Sequence, residues 1–138
     1  MAAELDAETI AFAHRMFDLA RCGSTEQLTG QIAHGLPVNL TNDKGDTLLI
    51  LAAYHNHPRT VTALLELGAD PARVNDRGQT ALAAAVFRKN ADSVRALLAA
   101  GADPADGSPS AAGTAAFFDL PEMAELLRGR AGETPVTP

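Results

Sequence analysis

The chain has a single cysteine, Cys22, and no tryptophan, and five Phe and one Tyr make up its aromatic set, 4% of 138 residues. A lone cysteine forms no intramolecular disulfide and leaves no paired spacing for a redox dithiol or a cysteine-based zinc site, so a reducing compartment is expected. Long apolar runs are missing as well. The longest, such as Ala81 to Phe87, falls far short of the roughly 20 residues that cross a bilayer. The opening Met1-Ala-Ala-Glu-Leu-Asp-Ala-Glu lacks the basic start and apolar stretch of a secretory signal and carries Glu4, Asp6 and Glu8 instead. Basic charge is in deficit, 11 Lys and Arg against 17 Asp and Glu, and the net charge of −6 repels phosphate backbones and anionic headgroups. These absences predict a cytoplasmic protein that binds neither nucleic acid nor membrane and needs no cofactor.

What remains is 46% apolar, chiefly Ala and Leu, in a length that suits one domain with a continuous core. Ala and Leu favour close helix-on-helix packing over a pleated sheet, so the fold class expected is all-α.

The sequence repeats itself. Asn42-Asp43-Lys44-Gly45-Asp46-Thr47 lies over Asn75-Asp76-Arg77-Gly78-Gln79-Thr80 at an offset of 33 residues, and 14 of the 30 positions from Asn42 to Pro71 are identical in the copy. Leu49 falls on Leu82, Ala52 on Ala85, Val61 on Val94, Ala63-Leu64-Leu65 on Ala96-Leu97-Leu98, and Gly68-Ala69-Asp70-Pro71 on Gly101-Ala102-Asp103-Pro104. Each copy reads as a turn with Gly45 or Gly78, an N-cap at Thr47 or Thr80, a short helix, a tight turn, a second helix and a Gly stop. The helices are expected over Leu48 to His55 and Arg59 to Leu67, then over Ala81 to Lys89 and Ala91 to Ala100. Helices this short are marginal alone in water, so neighbours must cover their apolar sides.

Divergent units flank the pair. Shifting back by 33 aligns Gly35 with Gly68 and Leu28 and Ile32 with Val61 and Leu65, behind a longer first helix expected over Ala7 to Arg21. At the other end Met123 and Leu126-Leu127 match Val94 and Leu97-Leu98 at an offset of 29, which implies a shortened loop over Asp103 to Ser110. Units are expected over 8–41, 42–74, 75–107 and 108–129 of a domain spanning 1–130, with a disordered tail over 131–138, and the Gly- and Pro-rich character of that tail already begins at Gly129.

The 33-residue period, Asp-x-Gly-x-Thr followed by Leu and Ala-Ala, and the later Leu-Leu-x-x-Gly-Ala-Asp resemble the ankyrin repeat over about residues 12 to 129. Where that family commonly has Thr-Pro-Leu-His, this chain has Thr47-Leu48-Leu49-Ile50 and Thr80-Ala81-Leu82-Ala83, which removes a Thr to His hydrogen bond. The resemblance implies a solenoid of about four helix-turn-helix units with hairpin-like loops along one edge and first helices lining a concave face, together forming a surface for another protein. On that surface it places the turn residues Thr41, Asp43, Lys44 and Asp46, their counterparts Val74, Asp76, Arg77 and Gln79, and the helix ends Tyr54-His55 and Phe87-Arg88, with Phe117 near the same line. Tyr54 and Phe87 are equivalent and should lie one above the other, and Tyr and Arg are enriched among binding hot spots. Packing of the rings under neighbouring turns, with Arg88 only solvated, is the alternative. Asp43 and Asp76 are expected to be turn formers, because Asp bonds local amides.

Catalytic readings have little to stand on. His55-x-His57 lacks the spacing of a helical ligand pair and a converging third group, and Asn56-His57 fits a turn in which Asn takes left-handed geometry and His bonds backbone. Cys22 with His14 or His34 as base lacks an electropositive setting and an oriented partner. No phosphate loop or serine elbow is present. The expected function is a protein-protein interaction module, a small adaptor or regulator, not an enzyme and monomeric when unbound. Its effect on the partner is expected to come from occupancy. The alternative is a metal-dependent or thiol enzyme using His55, His57 or Cys22.

Overall fold

The computed structural model describes residues 6–131 as eight helices in four antiparallel pairs. They are α1 (Ala7–Cys22) and α2 (Thr25–Ala33), α3 (Leu48–Tyr54) and α4 (Pro58–Glu66), α5 (Ala81–Phe87) and α6 (Ala91–Ala99), and α7 (Ala111–Phe117) and α8 (Pro121–Ala131). The first helices pack in the order α1, α3, α5, α7 and the second helices in the order α2, α4, α6, α8, which makes two layers with the core between them. No helix among the described residues is long and apolar enough to cross a membrane. Residues 132–138, most of the stretch expected to form a tail, lie outside the described residues, while Gly129 to Ala131 continue α8.

Local chemistry sets each boundary. Thr47 and Thr80 are N-caps whose hydroxyls accept hydrogen bonds from the Ile50 and Ala83 amides, both at 3.0 Å, and Ser110 does the same for Gly113. Asp6 caps α1 through the Thr9 amide at 2.8 Å. The short helices close earlier than the periodicity predicts, at Tyr54 and Phe87, because the residues after them turn into left-handed backbone. Asn56, Lys89 and Asp119 have φ of 70°, 58° and 55° there, and Gly23 has 72° in the first unit.

The last unit corrects the expected offset. Ser110 caps where Thr80 does, Asp119 turns where Lys89 does, and Leu127 is buried where Leu97 is. All three place the copy 30 residues on, not 29, so the loop is three residues shorter than its predecessors. Matching Met123 to Val94 by hydrophobicity gave the wrong register, because Met123 takes the buried position of Ser93.

Packing explains why such short helices persist. Every residue from Leu48 to Ala53 and from Ala81 to Val86 is buried, because neighbouring units and their own second helices cover most of the surface of α3 and α5. Leu64 and Leu97 are fully buried at the equivalent point of α4 and α6. Polar links tie unit to unit. The buried Thr25 and Thr60 hydroxyls share a hydrogen bond of 2.7 Å, and His57 Nε2–H donates to the Arg21 carbonyl at 2.7 Å.

Candidate functional site

The loops between units form the first wall of the site, and asparagine builds them. Asn42 Oδ1 accepts from the Lys44 and Asp46 amides, both at 2.9 Å, and Asn75 Oδ1 accepts from the Arg77 and Gln79 amides at 3.0 and 2.9 Å. The turn formers are therefore Asn42 and Asn75, not Asp43 and Asp76. The identical spacing of both pairs in the repeat carried that information, but the Asx turn starts one residue earlier than expected. Successive loops are pinned together: the Asp76 amide donates to the Lys44 carbonyl at 3.0 Å, Asn75 Nδ2 to Asp46 Oδ1 at 2.8 Å, and the Ser108 amide to the Gly78 carbonyl at 2.9 Å.

Opposite these loops, the ends of the first helices present aromatic rings. Tyr54 and Phe87 stack in parallel planes, 2° apart with centroids 6.3 Å apart, and each leaves over two-fifths of its surface exposed. Phe118 continues the line, its ring edge-on to Phe87 at 5.5 Å. Phe117 stands beside Phe118 at 4.9 Å and is 81% exposed. The 30-residue offset aligns Phe117 with Phe87, yet it is Phe118, equivalent to Arg88, that touches the ring. Of the two adjacent rings, only the folded turn at the end of α7 shows which one faces back along the stack.

Between the loop wall and the helix ends runs a groove of about 890 Å³. Of the residues singled out in the sequence, Asp43, Lys44, Asp46, Tyr54, His55, Arg77, Gln79 and Phe87 line it. Thr41, Val74, Asp76, Arg88 and Phe117 do not line it, although all five are exposed on the loop tips and helix ends around it. Sequence reasoning missed the floor: Ile50 and Leu51, Ala83 and Ala84, and Thr114, with Pro109 in the last loop and Phe118 at the far end. It also missed the contribution of α1, which adds His14, Phe17, Asp18 and Arg21. Arg21 pairs with Asp18 at 2.8 Å. His55 sits edge-on to Tyr54 at 5.2 Å, and its partial burial, reinforced by the nearby charges of Arg21, His57 and Arg88, holds its pKa below the ordinary value.

The side chains considered for chemistry are placed differently. His57 spends Nε2 on the Arg21 carbonyl and lies against Gly23, as the turn reading of Asn56-His57 predicts, so it does not join His55 in the groove. Among the described residues no three His, Cys, Asp or Glu side chains converge as a metal site. Cys22 is exposed, and His14 lies eight residues away along α1, about 12 Å of helical rise. His34 donates Nδ1–H to the Gly30 carbonyl at 2.8 Å, beside its own helix.

Repeated helix pairs, capped by Thr and joined by pinned Asx loops, are matched by the family model for ankyrin repeats in three copies, over residues 16–107. The chain belongs to the ankyrin-repeat family. An ankyrin repeat protein of Pseudomonas aeruginosa is 55% identical over 58 residues, which is 42% of this chain and 34% of the relative. The matched stretch thus spans about a third of that relative's length. Ankyrin repeats are generally protein-protein interaction modules, and the groove lies between the loops and first helices of this ankyrin stack.

Proposed function

We propose that this ankyrin domain is a binding module, not a catalyst, and that it holds one partner protein along the groove between its loop tips and the ends of its first helices. The observation that carries this reading is the exposed line Tyr54, Phe87 and Phe118. Tyr54 and Phe87 are kept partly out of the core on helices whose other residues are all buried, and Phe118, just past the end of α7, extends their line. Exposed aromatic surface in a concave site is the usual seat of binding energy between proteins. In this reading the chain regulates its partner by occupying it, acts in the cytoplasm and is monomeric when free.

Affinity capture of the tagged chain from its host's lysate, with a Tyr54→Ala/Phe87→Ala variant beside it, tests the proposal. One protein enriched by the wild type and lost by a variant with unchanged circular dichroism supports it. An identical set captured by both would remove the groove from consideration. Light scattering of the pure protein checks the monomer.

A further inference from the structure

The internal repeat allows each unit of the groove to be compared with its neighbour, and the comparison singles out the third unit. Its floor is cut away. Ile50 and Leu51 of α3 are replaced at the equivalent positions of α5 by Ala83 and Ala84, and both pairs line the groove. Phe87 and Phe118 close one side of this hollow and the Arg77 loop faces it from the other. Its width is one helix spacing, roughly 8–10 Å, enough for a single bulky side chain.

Charge changes at the same unit. Passing from the second unit to the third replaces Asp46 by Gln79, His55 by Arg88 and Asn56 by Lys89, three steps that each add positive charge. Four of the cations away from the groove, Arg59, Arg73, Arg95 and Arg128, pair with Glu26, Asp70, Asp92 and Glu125, and Arg15 lies over the Phe12 ring. Lys44, Arg77, Arg88 and Lys89 have no ion-pair partner among the described residues. At this edge the third unit carries one acid, Asp76, against Arg77, Arg88 and Lys89, while the fourth adds Asp106 and Asp119, so the positive excess is confined to the third unit. In a chain of net charge −6, unpaired cations kept beside an apolar hollow are complementary to a partner's carboxylates.

We infer that the third unit carries an anchor pocket for an acidic protein segment, which buries one bulky apolar side chain over Ala83 and Ala84 and sets its carboxylates against Arg77 and Arg88. This rests on the groove being the binding surface and adds the chemistry of what fills it. The hollow gives the anchor and the two arginines fix the register of the flanking acids.

The test is a phage-displayed random dodecapeptide library panned on the full chain, with selected peptides then titrated against variants. Ala83→Ile/Ala84→Leu fills the hollow with the residues that the second unit already accommodates, so the fold is retained, and Ala84→Leu alone serves if the pair melts early. Arg77→Glu/Arg88→Glu reverses the rim, and Arg95→Glu/Arg128→Glu makes the same change in net charge on the second helices. Selected peptides are expected to carry Asp or Glu around a Phe, Leu or Trp. They should lose about ten-fold or more in affinity on the first two double variants and change by no more than about two-fold on the third. Peptides that are neutral or basic, or that bind the filled variant unchanged, overturn the inference. If those same peptides are lost on Tyr54→Ala/Phe87→Ala, the groove reading survives without the pocket. A library that yields no enriched peptide overturns the pocket, and lysate capture then decides the groove reading separately. Displacement of the peptides by a single-stranded oligonucleotide at equal concentration would show a general polyanion surface and also overturn it.

Discussion

Gly23 joins α1 to α2 with φ of 72°, and a Cβ built on it would stand 2.5 Å from Nδ1 of His57 and 2.8 Å from its Cγ. The imidazole cannot simply swing aside, because Nε2–H is committed to the Arg21 carbonyl at 2.7 Å. Gly23→Ala therefore carries two costs. Left-handed backbone for an L-residue is unfavourable by about 1–2 kcal/mol. Expelling the ring adds about 0.5–1.5 kcal/mol for the hydrogen bond, with some overpacking if the ring stays. The expected loss is about 2–4 kcal/mol, measured as a shift in urea midpoint. His57→Ala in the same background removes the obstruction, so there Gly23→Ala should cost only its backbone share, about 1–2 kcal/mol. A double-mutant cycle with no coupling, or a Gly23→Ala variant as stable as the wild type, would refute the placement of His57 as the latch between the first and second units.

Leu64 is fully buried in α4, between layers and between units, so Leu64→Ala should lose about 2–5 kcal/mol in urea or thermal unfolding, and an unchanged midpoint would contradict its position. Thr60 and Ser93 are equivalent, yet only Thr60 has a partner, while the Ser93 hydroxyl is buried with none among the described residues. Thr60→Ala should therefore cost about 1–2 kcal/mol and Ser93→Ala nothing, or a small gain, by the same unfolding assay. His55 titrates in the native state below its ordinary 6.5, so as pH falls through 6.5 the unfolded chain takes up a proton first. Its contribution to stability is thus complete above 6.5 and is lost as pH falls from 6.5 towards its native value. His55→Gln should lose less stability than the wild type between pH 7 and pH 5, and equal losses would dismiss the effect.

The period, the capping threonines, the glycine stops and the buried leucines were legible in the chain, because each follows from a local rule that repeats 33 residues later. Pairing Tyr54 with Phe87 was legible for the same reason: equivalent positions in a stack lie above one another, and their rings are parallel. The final unit was legible only in outline. A hydrophobic match set its offset at 29, one residue short, and the cap at Ser110 and the turn at Asp119 put it at 30.

What the sequence determined by itself was the architecture, since a repeat whose helices are too short to stand alone has one way to bury its apolar sides, by stacking. What only the tertiary structure decided was how two units meet where their residues are not equivalent. His57 reaching Arg21 across 36 residues, Phe118 in place of Phe117 beside Phe87, and a groove floor that falls away at Ala83 and Ala84 are contacts between different copies. Local rules act within a turn or two of helix. Contacts across units depend on the distance and rotation between neighbouring helices, which the packing of whole side chains sets.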